Sequence, residues 1–276
     1  MMLSVILPAS NEEAWIGPCL DALIASDPPG MPAEVLVVAN ACQDGTVAKA
    51  QARMDAAQTA GWQLTVLDLT EPGKLNALNI GDARASGDIR VYLDADVVVS
   101  PPLIGQIARA LAQAPGPAYA SGTPRIAPAT SAVSRAYARF WMQLPFARSP
   151  APGFGLFAVN AAGRARWGAF PAIISDDTYV RLQFTPGERI GLPATYSWPM
   201  VEGFRRLVRV RRRQDDGVAE IAARWPDLLE REGKARLGAA ALLKLALRDP
   251  IGFATYAAVS LAVRLGPQSR GWTRGR

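Results

Sequence analysis

The sequence predicts an α/β fold, a mostly parallel sheet flanked by helices with a C-terminal helical extension, and three observations carry that expectation. Apolar runs of strand length alternate with helical patterns through the first hundred or so positions. Polar clusters follow the first, second and fourth runs, at the edge where sheets of this kind bind their ligands. With 276 residues, 50% of them hydrophobic, the chain is long enough to bury the core of one large α/β domain or two small ones.

Residues 3–7 are apolar apart from Ser4 and form the first strand. The turn PASNEE at 8–13 follows, then Ile16, Leu20, Leu23 and Ile24 at helical spacing. Ser10 or Asn11 suits the helix cap and Glu12 and Glu13 its positive end; the same turn is also placed for its N–H groups and Glu12 to meet a ribose or base. The second strand, 34–39, ends in NACQDGT at 40–46, and a helix is expected over 47–59. Residues 63–69 make the third strand, 74–85 the third helix and 88–93 the fourth strand. Lys74 opens its helix after Gly73, which lets it approach a diphosphate from the positive end; a solvated lysine is the plainer alternative. Asn76 and Asn79 share a face of that helix and are poor helix formers, which points to hydrogen bonds into a neighbouring loop. The fourth strand stops on Asp94-Ala95-Asp96. Residues two apart on an extended chain point the same way, so both carboxylates are expected to converge on one hard cation or one ribose-phosphate, unless they only solvate a turn.

Composition removes several function classes. There is no histidine, which excludes Ser-His and Cys-His catalysis and imidazole-bound zinc, so chemistry falls to carboxylates, arginine, lysine and a metal. Cys19 and Cys42 form no disulfide framework or zinc pattern, which fits a reducing, cytoplasmic setting. The N-terminus lacks the charged segment of a signal peptide, and no apolar stretch is expected to span a membrane.

In the second half, Asp176 and Asp177 follow Ile173 and Ile174 and precede a helical pattern, where Ser175 or Asp176 suits a cap. Trp167 and Phe170 are expected in the core, with a sugar-stacking wall as the alternative. The net charge of +6 is concentrated in six arginines between Arg205 and Arg213 and in Arg270, Arg274 and Arg276. Arg205, Arg209, Arg212 and Arg213 share one side of a helix expected over 203–214, without interspersed acids. Beyond Gly217 the composition changes. The apolar segments 239–247 and 251–263, flanked by Lys234, Arg236, Lys244 and Arg264, resemble two short helices. They suit either a membrane interface or packing on the domain or a second subunit, a homodimer.

The segments SVILPASNEE, VVANACQDGT, GKLNALNIGDARASGD and VYLDAD, followed by GFGLFAVN and Ser175-Asp176-Asp177, resemble glycosyltransferase family 2 over residues 1–214. That resemblance implies a GT-A fold, a D-x-D motif, a nucleotide-diphosphate sugar donor, and a Mg²⁺ or Mn²⁺ ion. It implies Asp94 and Asp96 as ribose and metal ligands, with Pro8, Ala9, Ser10, Glu12, Asn40, Asp44 and Lys74 lining the nucleotide. It further implies Arg212 and Arg213 at the leaving diphosphate and inverting transfer with Asp177, in preference to Asp176, as base. Three departures stand out: Ala39-Asn40 replaces an acidic pair used in base recognition, Asp176-Asp177 replaces a Glu-Asp pair, and RVRRRQ at 209–214 replaces the motif of processive members, which favours single addition. The expected organisation is a catalytic domain at 1–216, with a nucleotide half at 1–100 and an acceptor half at 101–216, then a helical extension at 217–276. The acceptor is a hydroxyl, with a lipid or lipid-linked acceptor in cell-envelope synthesis favoured by the basic and apolar C-terminal features. Peripheral attachment at the cytoplasmic face of a membrane is the matching location, and nothing points to nucleic acid. The alternatives are a nucleotidyltransferase, against which PASNEE argues in place of a Gly-rich loop, and a non-catalytic nucleotide- or membrane-surface binding protein.

Overall fold

A computed structural model describes residues 1–233 and 237–266, so Lys234, Arg236, Arg270, Arg274 and Arg276 lie outside the described residues. The first half runs β1 (Leu3–Ala9), α1 (Ile16–Ile24), β2 (Ala33–Asn40), α2 (Thr46–Gln51), α3 (Met54–Thr59), β3 (Trp62–Leu69), α4 (Lys74–Arg84) and β4 (Ile89–Leu93). The second half adds β5 (Val98–Val99), α5 (Leu103–Gln113), β6 (Tyr119–Ile126), α6 (Ala132–Trp141), β7 (Leu156–Asn160), α7 (Ala161–Arg164), α8 (Asp176–Arg181) and β8 (Arg189–Trp198). It closes with α9 (Phe204–Arg224), α10 (Ala239–Arg248) and α11 (Pro250–Leu265).

One eight-stranded sheet has the order β3-β2-β1-β4-β7-β6-β8-β5. The strands β3, β2, β1 and β4 are parallel. Antiparallel β7 joins β4 to β6, β8 is parallel to β6, and β5 is antiparallel to β8. Every residue of β1 and β2 is buried, as expected of parallel strands with both faces covered. Along β1, Leu3, Val5 and Leu7 face a core completed by α1 and α5, whereas Ile6 faces a second core with Leu78, Tyr92 and Phe157. Polar residues inside these layers are partnered: Ser4 Oγ donates to Glu34 Oε1 at 2.6 Å, and the Ser86 N–H donates to the same oxygen.

Three local expectations are corrected. The helix expected over 47–59 breaks at Ala52-Arg53, where Arg53 turns back to grip both oxygens of Asp21 on α1 at 2.7 and 2.9 Å. Residues 94–97 form a turn closed by the Val97 N–H on the Asp94 carbonyl, so the strand alternation invoked for Asp94 and Asp96 does not apply to them. The basic helix does not stop near Gln214; α9 continues unbroken to Arg224, through the division expected between 216 and 217.

The C-terminal helices are tied to the domain on one side. Phe253 and Tyr256 of α11 pack on Phe140 and Tyr137 of α6, with ring centroids 5.6 Å apart in both pairs, and Arg139 holds Asp249 at the helix start.

Beneath the sheet, buried Asp82 accepts from Arg90 (2.5 Å), Tyr92 (2.7 Å) and Arg164 (2.6 Å), joining α4 to β4 and α7. Burial alone would raise its pKa; the bonds from Arg164 and Tyr92 and the charges of Arg164 and Arg90 outweigh it and hold the carboxyl below its ordinary 3.8. Replacing Asp82 by Asn leaves two partly buried guanidiniums undercompensated, with an expected loss of about 3 kcal/mol in unfolding free energy at neutral pH. The carboxylate's contribution is present above the unfolded pKa and fades as pH falls through the lower folded value, so the deficit should shrink in acid. Denaturant titrations of wild type and Asp82→Asn at pH 7 and in acid measure both effects.

Candidate active site

The site forms at the edge where β1, β2 and β4 end. Because β1 lies between β2 and β4, the turns after all three strands gather there, beside the start of α4. The turn after β1 is knitted to the loop after β2: Asn11 Oδ1 accepts from the Gln43 N–H at 2.7 Å, the Glu12 N–H donates to Thr46 Oγ1 at 2.8 Å, and the Glu13 N–H donates to Asp44 Oδ2 at 3.1 Å. Neither Ser10 nor Asn11 caps α1, which starts later, from Trp15; Asn11 instead adopts φ +52° to reach the opposite loop. Ser10 and Glu12 remain half-buried on this edge, whereas Pro8 and Ala9 are buried within β1.

Asn40, at the end of β2, is held by bonds to two neighbouring segments. It is buried; its Nδ2 donates to the Ala9 carbonyl at 2.8 Å and its Oδ1 accepts from the Gly73 N–H at 3.1 Å. Both ends of the amide are used to tie β1 to the start of α4, and the consequence is to fix Lys74. Asp44 is likewise committed to its loop: hydrogen bonds from Thr46 and the Glu13 N–H outweigh burial and lower its pKa.

Lys74 joins the two acidic motifs. Its Nζ lies 3.0 Å from Asp94 Oδ1 and 3.1 Å from Asp176 Oδ2, so the turn after β4 and the start of α8 meet at one ammonium. Burial would lower the Lys74 pKa, but the carboxylates of Asp176, Asp94 and Asp177 outweigh it and raise it. Asp176 is buried and Asp177 half-buried. Burial, followed by the charge of Asp176, raises the Asp177 carboxyl above the ordinary range, with Lys74 acting in the opposite direction. A carboxylate so placed binds a proton more readily than a solvated one.

Of the arginine pair, the structure brings Arg212 elsewhere: its Nη2 donates to the Ala262 carbonyl of α11 at 3.2 Å. Arg213 lies one turn before Gly217, which packs against Ser175 next to the acidic pair, so it is on the face of α9 turned toward the site.

Other neighbours of the site gather around the GFGLFAVN stretch. The Asp94 N–H donates to the Gly155 carbonyl at 2.9 Å, and Gly155 has φ +75° with Trp198 and Val97 where a side chain would stand. Trp198 stacks obliquely on Phe154 and Trp141, an aromatic group beside the D-x-D turn; Gly153 and Gly155 flanking Phe154 were its only trace in the sequence. Trp167 and Phe170, by contrast, are core residues as expected.

A hard divalent cation fits these donors. Among the described residues no three His, Cys, Asp or Glu side chains are arranged around one metal position. A nucleotide-bound Mg²⁺ or Mn²⁺ site needs only one or two carboxylates, because phosphate oxygens and water complete the shell. Asp94 and Asp96 would be the carboxylates to supply them, and Asp94 meets the Lys74 ammonium.

A parallel β3-β2-β1-β4 half and an antiparallel β7 beside β4, with acidic motifs joined across the strand ends, are the arrangement of the GT-A glycosyltransferase fold. Residues 4–165 match Glycosyl transferase family 2, and the chain belongs to that family. It is 37% identical over 94 residues to glycosyltransferase AglE of Haloferax volcanii, a match covering 34% of this chain and 30% of that protein's length. The fold is similar to that of mannosyltransferase PcManGT from Pyrobaculum calidifontis in complex with GDP-Man and Mn²⁺ (TM-score 0.61, 24% identity, 96% of this chain and 76% of that one). It is also similar to S. aureus TarS 1–349 in complex with UDP-GlcNAc (TM-score 0.54, 16% identity, 96% and 76% covered). A third similar structure is glucosyl-3-phosphoglycerate synthase from Mycobacterium tuberculosis with Mg²⁺ and UDP (TM-score 0.53, 19% identity, 81% and 79% covered).

Binding of UDP or GDP is expected to depend on Mn²⁺ or Mg²⁺ and to collapse on Asp96→Ala. Calorimetry with each nucleotide, with and without metal, checks this; equal affinities under all conditions would remove the metal-ligand role of the D-x-D turn.

Proposed function

We propose that the chain is a metal-dependent, inverting glycosyltransferase that moves a sugar from a nucleotide-diphosphate donor to a hydroxyl of a lipid or lipid-linked acceptor in cell-envelope polysaccharide or glycolipid synthesis. The observation that carries the reading is Lys74, whose ammonium brings Asp94 and Asp176 to one point and so sets the donor motif against the acidic pair. Metal and donor binding are what the similar solved structures contain, and the same class of ligand is proposed for this site.

In this mechanism Ser10 and Glu12, on the turn after β1, line the nucleotide, while Asn40 and Asp44 keep that edge in shape through their own hydrogen bonds. Asp94 and Asp96 hold the ribose and the divalent ion, which when bound offsets negative charge on the diphosphate. Lys74 and Arg213 add fixed positive charge on the leaving side. Asp177 takes the proton of the acceptor hydroxyl as its oxygen attacks the anomeric carbon, and the diphosphate leaves from the opposite face in one displacement. Its raised pKa suits a base, since a carboxyl of ordinary pKa holds a proton too weakly at neutral pH. Asp177→Asn is expected to lower kcat by about a hundredfold or more while leaving donor binding intact. Diphosphate release from a panel of nucleotide sugars with Mn²⁺, beside nucleotide affinity, checks it; the same result from Asp176→Asn alone would move the base to that residue.

The acceptor reading rests on the C-terminal surface. No helix among the described residues is long and apolar enough to cross a membrane. On α11, however, Ile251, Ala254, Ala258, Leu261 and Leu265 are all exposed and recur on one helical face, and Leu243 and Leu247 are exposed on α10. Lys244, Arg248 and Arg264 are exposed on the same two helices, and their one acid, Asp249, is engaged by Arg139. Two such faces meeting in a homodimer would set like charges together, whereas an anionic lipid surface complements them. Peripheral attachment at the cytoplasmic face follows from this reading. The protein is expected to sediment with vesicles containing anionic lipid at low salt, less at high salt, and much less after Leu247→Glu with Leu261→Glu. Unchanged sedimentation of that variant would refute the lipid surface, and a fall in its oligomer size would assign the face to a dimer.

A further inference from the structure

We propose that α9 positions the Asp176–Asp177 pair, with Glu220 as the positioning residue, by clamping the irregular segment that delivers the pair to the site. The proposal rests on the reading of that pair as catalytic. Residues 165–175 link α7 to α8 without regular structure, and α8 begins on Asp176 itself. An irregular segment needs partners for its backbone from elsewhere in the fold. Here one face of α9 supplies them. Glu220 Oε2 accepts from the Ile174 N–H at 2.9 Å, and Arg224 Nη1 donates to the Ala172 carbonyl at 2.6 Å. The same Arg224 nitrogen reaches Glu220 Oε1 at 2.9 Å, so the two side chains brace each other while holding alternate residues of the segment. A turn earlier, Gly217 lets Ser175 lie against the helix: a Cβ at 217 would stand within 2.9 Å of Ser175 Cβ and collide with its hydroxyl.

Local capping does not do this work. Ser175 occupies the cap position of α8 but its side chain makes no cap hydrogen bond, and Asp177 Oδ1 accepts only from the adjacent Thr178 N–H. The other end of the segment is held by α4. Asn79 Oδ1 accepts from the Phe170 N–H at 2.7 Å and its Nδ2 donates to the Phe170 carbonyl at 3.2 Å. Since α4 begins with Lys74, the helix that pins residue 170 also carries the ammonium that meets Asp176, and α9 closes the arrangement from the C-terminal side. Glu220 touches neither donor nor acceptor in this scheme. Its effect is on where the pair stands relative to Lys74, and therefore on turnover more than on donor binding.

The test compares Glu220→Ala, Glu220→Gln, Gly217→Ala and Asp177→Asn as full-length proteins. Glu220→Ala is expected to lower kcat by about tenfold to a hundredfold, the scale of a displaced reacting group, with the KM of the nucleotide sugar and the nucleotide affinity little changed. Glu220→Gln keeps an oxygen for the Ile174 N–H and should restore most of the rate. Gly217→Ala, which changes no charge, should lower kcat in the same way by moving Ser175. Hydrogen exchange read by mass spectrometry should rise in peptides spanning residues 172–178 in Glu220→Ala, with exchange in β1 and β4 unchanged, a readout that needs no substrate. Wild-type kcat in both Glu220→Ala and Gly217→Ala overturns the proposal, as does equal impairment of Glu220→Ala and Glu220→Gln. If Glu220→Ala does not fold, Gly217→Ala and Glu220→Gln decide alone: losses in nucleotide affinity matching those in kcat would make α9 a structural support only. An active Asp177→Asn would instead remove the base assignment, while an inactive Asp177→Asn beside an active Glu220→Ala would remove the positioning role by itself.

Discussion

The contact on which the rest depends is the ammonium of Lys74 between Asp94 and Asp176. Three carboxylates, Asp94, Asp176 and Asp177, approach one another where burial already disfavours charge, and without a cation between them their repulsion would drive the turn after β4 and the start of α8 apart. Lys74 offsets that repulsion, and the fold invests in its placement. Asn40 holds the residue before it, and Asn79 ties the same helix to the segment leading to the acidic pair. These asparagines hydrogen-bond to backbone atoms, and in doing so they hold the helix that carries Lys74 against both neighbouring segments.

Much of the architecture was legible because it is written in local periodicity. The alternation of apolar runs and helical patterns gave β1 to β4 within one or two residues at each end, and the full burial of β1 and β2 explains why those runs carry so few polar residues. Ser4, Glu34 and Asn40 are the exceptions: the first two bond each other, and Asn40 bonds the Ala9 carbonyl and the Gly73 N–H. The D-x-D stretch was legible as a pair of acids at the end of β4, but its geometry was not. The closing hydrogen bond from Val97 to Asp94 is a matter of how the chain leaves the sheet, which a strand pattern does not encode.

Residue roles were less legible wherever they depend on a distant partner. Asn40 and Asp44 stand at the ligand edge as the motif requires, yet partners from Ala9, Gly73, Glu13 and Thr46 absorb their hydrogen-bonding capacity. Asp82 reads as an ordinary acid in a helix, and only the fold brings Arg90, Tyr92 and Arg164 around it. In each case the residue type was compatible with several uses, and long-range contacts selected one.

The arginine run illustrates the same selection within a single helix. On α9, Arg211 pairs with Asp215 and reaches the Tyr256 hydroxyl, Arg212 bonds α11, and Arg205, Arg206 and Arg209 stay exposed. A composition that suggests one basic face is therefore divided by helical geometry among packing, solvent and the face of Gly217, where Arg213 stands. Arg212 bonds α11 on one side and Glu220 and Arg224 bond the segment before Asp176 on another, so α9 touches both the C-terminal helices and the approach to the acidic pair. On the proposed reading, in which the acceptor is held at a lipid surface and Asp177 is the base, α9 is the helix that connects the two, braced at Glu220 and Arg224.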